Sequence, residues 1–442
     1  MPIQTDRLTE DFKTTPYWWE SAAPDGEIRE ELPKAVDALI IGSGFAGLCC
    51  ALELAENGRH VAVLDSQEIG AGASTRSGAM VTGGQKLVVT EAITGLSAEL
   101  QADMLHDAKD SLSMMQERVD RYMLDADYRQ YGRIIAAHVP KHMARLERWA
   151  ELLRSRAGSD VEILDRSALR QELDSPRYHG GIVIKDYGGI NPAKYHRALR
   201  QAARAKGVGL HPFSAATAIR RENGAFRVST KRGEVQARNV MVGTNAYTGG
   251  VTPWMQKRVV PIGAYAIATE PLPPGLTGTL IPQARMVSDT QRDLFWFRQS
   301  PDGARIIFGA RPYLHETAPD RAAAATLHAM MCTVFPQLQA ARISHCWRGN
   351  VGMSADHVPH MGVHEGVHYA LACNGSGVAM MSYLGYRTAQ KILGHENRPC
   401  AFDRDAFPAI PLYNGNPWFV PIASGWYRLQ DRVEQFRARV GG

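Results

Sequence analysis

The 442 residues hold only six cysteines, and no two of them form a Cys-x-x-Cys pair. That spacing argues against a zinc knuckle, and no metal is expected. So few thiols fit a reducing, cytoplasmic setting better than a disulfide-stapled secreted chain. The opening MPIQTDRLTEDFK carries acidic residues and lacks the apolar core of a secretory signal. Neither sign of charge dominates, since 50 Lys and Arg against 45 Asp and Glu leave a formal +5. The densest basic stretch, RRENGAFRVSTKRG (Arg220 to Gly233), alternates with apolar residues around a turn. It reads as the solvated face of a β-hairpin, so no nucleic-acid partner is expected. Internal repeats and low-complexity segments are missing. Long apolar runs are scarce as well. The strongest, DALIIGSGFAGLCCALELA (Asp37 to Ala55), is broken by Gly-Ser-Gly and by Glu53, which excludes a membrane span.

Glycine is plentiful, at 41 residues, and its placement in that stretch is informative. VDALIIG is short and apolar like a buried parallel strand. FAGLCCALELAENG has helical periodicity and ends in Asn57-Gly58, a helix stop; Cys49 and Cys50 are read as its core thiols. RHVAVLD is a second buried strand. Strand, glycine turn, helix and strand make a dinucleotide-binding βαβ unit. Gly42 makes the tight turn, Gly44 lets a pyrophosphate approach the backbone, and Gly47 lets the helix pack on the sheet. The free N–H groups of the helix N-terminus face the phosphates. Asp65, 18 positions past Gly47, is placed to accept hydrogen bonds from the adenosine ribose and to repel a 2′-phosphate.

The next segment, GAGASTRSGAM (Gly70 to Met80), lacks the regular helix expected of an NAD dehydrogenase. A loop of small and hydroxylated residues can thread along an extended cofactor, with Arg76 free to pair with phosphate. This selects FAD.

GSGFAG followed by GASTRSGA resembles the D-amino-acid oxidase-like superfamily of FAD-dependent amine and amino-acid oxidoreductases, which includes glycine and sarcosine oxidases. The nearest branch is the gamma-glutamylputrescine oxidoreductase type. The resemblance extends through TTPYWWESAAP, VGTNAYTG (Val242 to Gly249), PIGAYAIATEPL (Pro261 to Leu272), IIFGAR (Ile306 to Arg311), FPQL and CNGSGVAMMSYLG (Cys373 to Gly385). Ala79 stands where the family loop often has a second glycine.

The resemblance implies an α/β plus α+β fold, in which a Rossmann-like FAD-binding domain is interleaved with an antiparallel-sheet substrate domain. The FAD-binding part is expected at residues 33–86, 160–250 and 343–400, and the substrate part at 87–159 and 251–342. An N-terminal arm (1–32) and a C-terminal tail (401–442) flank them. Strand-like segments DLFWFRQ, ARIIFGAR and AYAIATE are expected in the substrate sheet. The tail helix YRLQDRVEQFRARV is expected to pack on the body through Leu429, Val433 and Phe436, with a partner contact as the alternative.

The implied chemistry is hydride transfer from the carbon bearing a neutral amine to flavin N5. The resulting imine hydrolyses to an aldehyde plus an amine or ammonia, with O2 as acceptor and H2O2 as product. An N-methyl amine or amino-acid oxidase, and a dehydrogenase with a non-oxygen acceptor, remain open. A flavin monooxygenase would need a second nucleotide motif, which the chain lacks. Expected FAD contacts are Gly42, Ser43, Gly44, Phe45, Ala46, Gly47, Asp65 and Ser66, then Gly72, Ala73, Ser74, Thr75, Arg76, Ser77, Gly78, Ala79 and Met80. Ala216, Thr244 and Asn245 follow. Asn374, Gly375, Ser376, Gly377, Val378 and Ala379 are expected over the flavin ring, with N–H groups of Ser376 to Ala379 opposite its N1/O2 edge. Tyr265, Trp296 and Asn374 are candidate catalytic residues. Tyr265, Trp296, Arg298, Arg311 and His357 are candidate substrate contacts. Val351 stands where the family's amino-acid oxidases have a carboxylate-clamping arginine, which argues against a plain α-amino acid. Gly349 stands where sarcosine oxidases have a flavin-linked cysteine, with Cys346 three positions earlier, so FAD is expected to be non-covalent.

Overall fold

A computed structural model describes residues 7–122, 125–314 and 318–440. Its first sheet runs in the order Ala216–Glu222, Ala225–Thr230, Gly233–Val242, Ala35–Ile41, Val61–Leu64 and Gly209–His211, with Val367–Leu371 joining Gly233–Val242. The central pairs are parallel. Their strands are apolar because both faces are covered: Leu39, Ile40, Val63 and Leu64 are all fully buried. The Arg220 to Gly233 stretch forms the outer hairpin, turning at Asn223 and Gly224. Helix Phe45–Glu56 follows the first strand of the βαβ unit, and Cys49 and Cys50 lie fully buried on it. Helix Gly377–Leu393 crosses it closely, since a Cβ on Gly385 would lie 2.1 Å from the Ala46 carbonyl oxygen.

The second sheet has nine strands among the described residues. Their order is Leu8–Lys13, Ile343–Met353, Val260–Thr269, Ile306–Ala310, Trp296–Gln299, Met286–Asp289, Arg133–Ala136, Gly181–Ile184 and Val161–Leu164. AYAIATE, ARIIFGAR and DLFWFRQ are antiparallel neighbours in it. Segments 343–353, 161–164 and 181–184, grouped by sequence with the nucleotide-binding part, pair in this sheet instead. Ile343–Met353 does so because its register with Val260–Thr269 runs the whole length of both strands. Helix Ala98–Arg121, grouped with the substrate part, is anchored to the other side. Its buried Asp107 accepts hydrogen bonds from Tyr383 Oη and Arg398 Nη2.

One face of the nine-stranded sheet packs Ile267, Phe297 and Phe308 against helix Arg321–Val334. The other turns Ala266, Ile135 and Trp347 toward the main core. The site lies on this second face, between the two sheets.

Helix Val420–Val440 corrects one expectation. Leu429, Val433 and Phe436 are 51%, 40% and 68% exposed, so this stripe faces away from the body. The opposite, polar face docks because its acids meet fixed cations. Asp431 accepts from Arg292 at 2.7 Å, Glu434 pairs with Arg292 and Lys141, and Arg428 pairs with Asp293.

Candidate functional site: a cavity between the sheets

Gly42 has φ +102°, a left-handed conformation that an L side chain resists, and its N–H donates to Leu64 O. A Cβ on Gly47 would lie 1.9 Å from Gly42 O, so only glycine lets the helix start this close to the strand. Gly44 caps the helix, and Phe45 N–H donates to Ser74 Oγ. The N–H groups of Ala46 and Gly47 have no intrahelical acceptor and remain for an anion. His196, missed in the sequence, locks this turn. Burial pulls its pKa down to about 4, so the ring is neutral and Nε2–H donates to Ser43 O at 2.7 Å. Asp65 Oδ2 accepts from Ser43 N–H and Oγ at 2.9 and 2.6 Å, and Oδ1 accepts from Gln67 N–H at 3.0 Å. Oδ1 keeps a lone pair, and Asp65 lines the cavity beside Ser66 and Ala216.

The 70–80 loop is held from behind. Thr75 Oγ1 donates to Gly70 O and accepts from Trp19 Nε1–H, so its hydroxyl serves the loop rather than a ligand. Arg76, expected at phosphate, donates to Ala71 O and Arg348 O and lies 4.6 Å over the Trp19 ring. Its role is to tie the loop to the second sheet. Trp18 donates to Ser77 O and Trp347 to Arg76 O. Ala79 has φ +60°, a left-handed conformation that glycine adopts more readily. Gly72, Ala73, Ser77, Gly78, Ala79 and Met80 line the cavity.

That cavity is about 700 Å³ and runs from the glycine turn to the nine-stranded sheet. Trp296 forms part of its wall, set in a notch between two glycines: a Cβ would lie 1.9 Å from the indole at Gly309 and 2.9 Å at Gly78. Arg311 lines the wall with its Nη1 donating to Ser424 Oγ at 2.6 Å. Thr244, Asn245, Gly349 and Val351 also line it. Tyr265 touches the wall, but strand alternation puts its ring on the far face with Ile267 and Phe308. The cavity-facing positions of that strand are Ile262, Ala264 and Ala266.

Three other candidates sit as follows. Arg298 shares the face of Trp296, but it is 2% exposed beneath Ala79 and Ile190, to whose carbonyls it donates. His357 is exposed in a left-handed turn (φ +57°) and does not line the cavity. Asn374 lines it, but its side chain is used in the loop: Nδ2 donates to Ala372 O and Ser354 Oγ, and Oδ1 accepts from Ser354 N–H. In the same loop, Ser376 N–H is taken by Cys373 O. Gly377, Val378 and Ala379 open the following helix and leave N–H groups without intrahelical acceptors. Cys346 is buried in the far-face cluster, whereas Cys373 lines the cavity.

Two cations that the sequence reading did not single out also line the wall, Lys86 and Arg133. Burial, together with the charge of Arg133, pulls Lys86 down to about 8, and burial lowers Arg133 to about 10. No local signal marks either one, since a strand arginine usually faces solvent and Lys86 belongs to a five-residue helix. The glycine cradle, the acid Asp65, the small-residue loop and the helix N-terminus at Gly377 all line one cavity and fit FAD laid along it.

Residues 37–391 match the DAO family of FAD dependent oxidoreductases. The chain is 31% identical over 436 residues to gamma-glutamylputrescine oxidoreductase of Escherichia coli, covering 95% of this chain and 99% of that one. It is 22% identical to glycine oxidase of Bacillus licheniformis, over 82% of this chain and 94% of the relative. In fold it is similar to glycine oxidase from Geobacillus kaustophilus, at a TM-score of 0.71 and 19% identity over 86% of this chain and 100% of that one. Among the described residues no helix is long and apolar enough to cross a membrane. The chain belongs to the DAO family of FAD-dependent oxidoreductases.

Proposed function

We propose that this oxidoreductase acts on the carbon–nitrogen bond of a primary or secondary amine. The products are an imine, which water splits to an aldehyde plus an amine or ammonia, and H2O2 formed from O2. The observation that carries this reading is the single chamber that joins the glycine turn to the Trp296 wall. When bound, FAD accepts the two electrons taken from the substrate.

The chain's residues select the form of amine that reacts. Arg76, Lys86, Arg133 and Arg311 line the chamber beside Asp65 and Asp293, and Arg292 there is paired with Asp431 and Glu434. A cationic wall disfavours ammonium and favours the neutral amine, so no side-chain base is needed. Trp296 offers an apolar platform beside the reacting carbon. The open N–H groups of the helix at Gly377 supply partial positive charge where negative charge builds up on reduction. Kinship with an enzyme named for gamma-glutamylputrescine supports an amine substrate. Six free thiols, five of them buried, support a reducing, cytoplasmic compartment.

The test is a panel of primary, secondary and N-methyl amines scored for peroxide. Peroxide with at least one amine is expected, and formaldehyde among the products would identify demethylation. A panel that gives no peroxide and reduces no artificial acceptor would refute the proposal.

A further inference from the structure

Helix Val420–Val440 turns its apolar stripe away from the body. Ile422 and Trp426, 67% and 57% exposed, continue the row made by Leu429, Val433 and Phe436. The five recur at steps of four, three, four and three residues. At 3.6 residues per turn they share an arc of about 80°, and the row runs about 21 Å along the helix. Of the 13 large apolar side chains exposed among the described residues, eight lie between Leu412 and Phe436, Trp418 and Tyr427 among them. An apolar patch concentrated in this way marks a contact surface.

The charges of the helix are sorted by face. Asp431 and Glu434 turn inward, where both meet Arg292. Arg428 is paired with Asp293. Among its described side chains, the charged ones it exposes are Arg432 and Arg437. They project to opposite flanks of the stripe, about 80° and 60° from its midline.

This sorting chooses the occupant. A second copy would set the stripe against itself in an isologous pair, and the arginines of both flanks would then meet a surface with no exposed acid of the helix to receive them. An anionic lipid surface suits every feature. Leucine and phenylalanine enter the boundary between headgroups and acyl chains, tryptophan and tyrosine rest at the interface, and the arginines lie level with the lipid phosphates. Among the described residues no helix is long and apolar enough to cross a membrane, so this one would lie along the surface.

We propose that helix Val420–Val440 docks the protein onto the surface of an anionic bilayer. Ala423, Ser424 and Tyr427 of the same helix line the chamber. Docking therefore sets the chamber about 10 Å, one helix diameter, from the lipid. The proposal is independent of the amine reading.

The test sediments the holoenzyme with vesicles of phosphatidylglycerol and phosphatidylcholine, and with vesicles of phosphatidylcholine alone. Binding to the anionic vesicles is expected, at least about tenfold weaker on the neutral ones and weakened by salt. The double variant Trp426→Ser with Phe436→Ser keeps every charge, and it is expected to lose binding at unchanged FAD content and Tm. Arg432→Gln with Arg437→Gln keeps the stripe, and it is expected to weaken binding at least about tenfold. Protein that stays in the supernatant with anionic vesicles overturns the proposal, as does equal binding to neutral ones. Wild-type binding by the double serine variant also overturns it, since net charge alone would then account for the attraction. A wild-type dimer in light scattering that the serine variant dissolves, without vesicle binding, overturns it in favour of a second copy.

Discussion

Gly309→Ala adds one methyl group against the indole of Trp296. The new Cβ would lie 1.9, 2.1 and 2.3 Å from Cε2, Cζ2 and Nε1, where ordinary contact begins at 3.4 Å. The ring must therefore retreat by about 1.5 Å. Behind it, Gly78 already sits where a Cβ would be 2.9 Å from Cζ3, so the displaced ring tilts into the cavity. Overpacking of this kind costs about 1–3 kcal/mol. An unfolding entropy near 2.1 cal/mol/K per residue, over 442 residues unfolding as one unit, makes that a Tm loss of only about 1–3 °C. The kinetic effect is larger, because a misplacement of about 1 Å can cost roughly 100-fold in rate. The assay is kcat/KM with the best amine of the panel, alongside FAD content and Tm. We expect kcat/KM to fall about 100-fold with FAD content unchanged. In a Trp296→Leu background the added methyl should cost little, since the two sites are in contact and their effects do not add. Wild-type kcat/KM in Gly309→Ala, or the same penalty with and without Trp296, would refute this packing.

Asp65→Ala leaves Ser43 N–H, Ser43 Oγ and Gln67 N–H without their acceptor. Hydrogen bonds to a charged group contribute about 1.5–3 kcal/mol each, so FAD should bind at least about tenfold more weakly on titration of the apoprotein; a Kd within twofold of wild type contradicts the assignment. Acid precipitation should release the yellow colour to the supernatant, because Cys346 lies away from the cavity; colour kept in the pellet and lost in Cys373→Ala would show a covalent link. His196 titrates near 4 when folded and near 6.5 when unfolded. Its contribution is therefore complete above pH 6.5 and lost as pH falls toward 4, about 3 kcal/mol at 1.36 kcal/mol per pKa unit. Urea melts over that range should show a steeper acid decline for wild type than for His196→Gln, and equal slopes would exclude the effect.

The nucleotide turn was legible because its signal is local. Gly42, Gly44, Gly47 and Asp65 sit within one βαβ unit, and each spacing reports a backbone constraint. The substrate end was not, because residue type does not say where a side chain points. Thr75, Arg76 and Asn374 are good ligand donors that the fold spends on its own carbonyls and loop groups. Arg298 and Arg133 are both strand arginines in one sheet, yet the loops at Ala79 and Ile190 seal the first while the second lines the cavity. Which face the Tyr265 ring takes follows from strand alternation, in a register set by Ile343–Met353, some eighty positions away. The tail helix was misread because its apolar stripe suggested packing, whereas ion pairs with Arg292 and Lys141 decide which face docks.

The central claim is that an amine and FAD share one chamber and exchange electrons there. Anaerobic addition of the amine panel to the holoenzyme tests it most directly, with the flavin absorbance as readout. The account predicts that at least one amine bleaches the flavin without any nicotinamide cofactor. A flavin that stays oxidised with every amine, yet bleaches with dithionite, would contradict it.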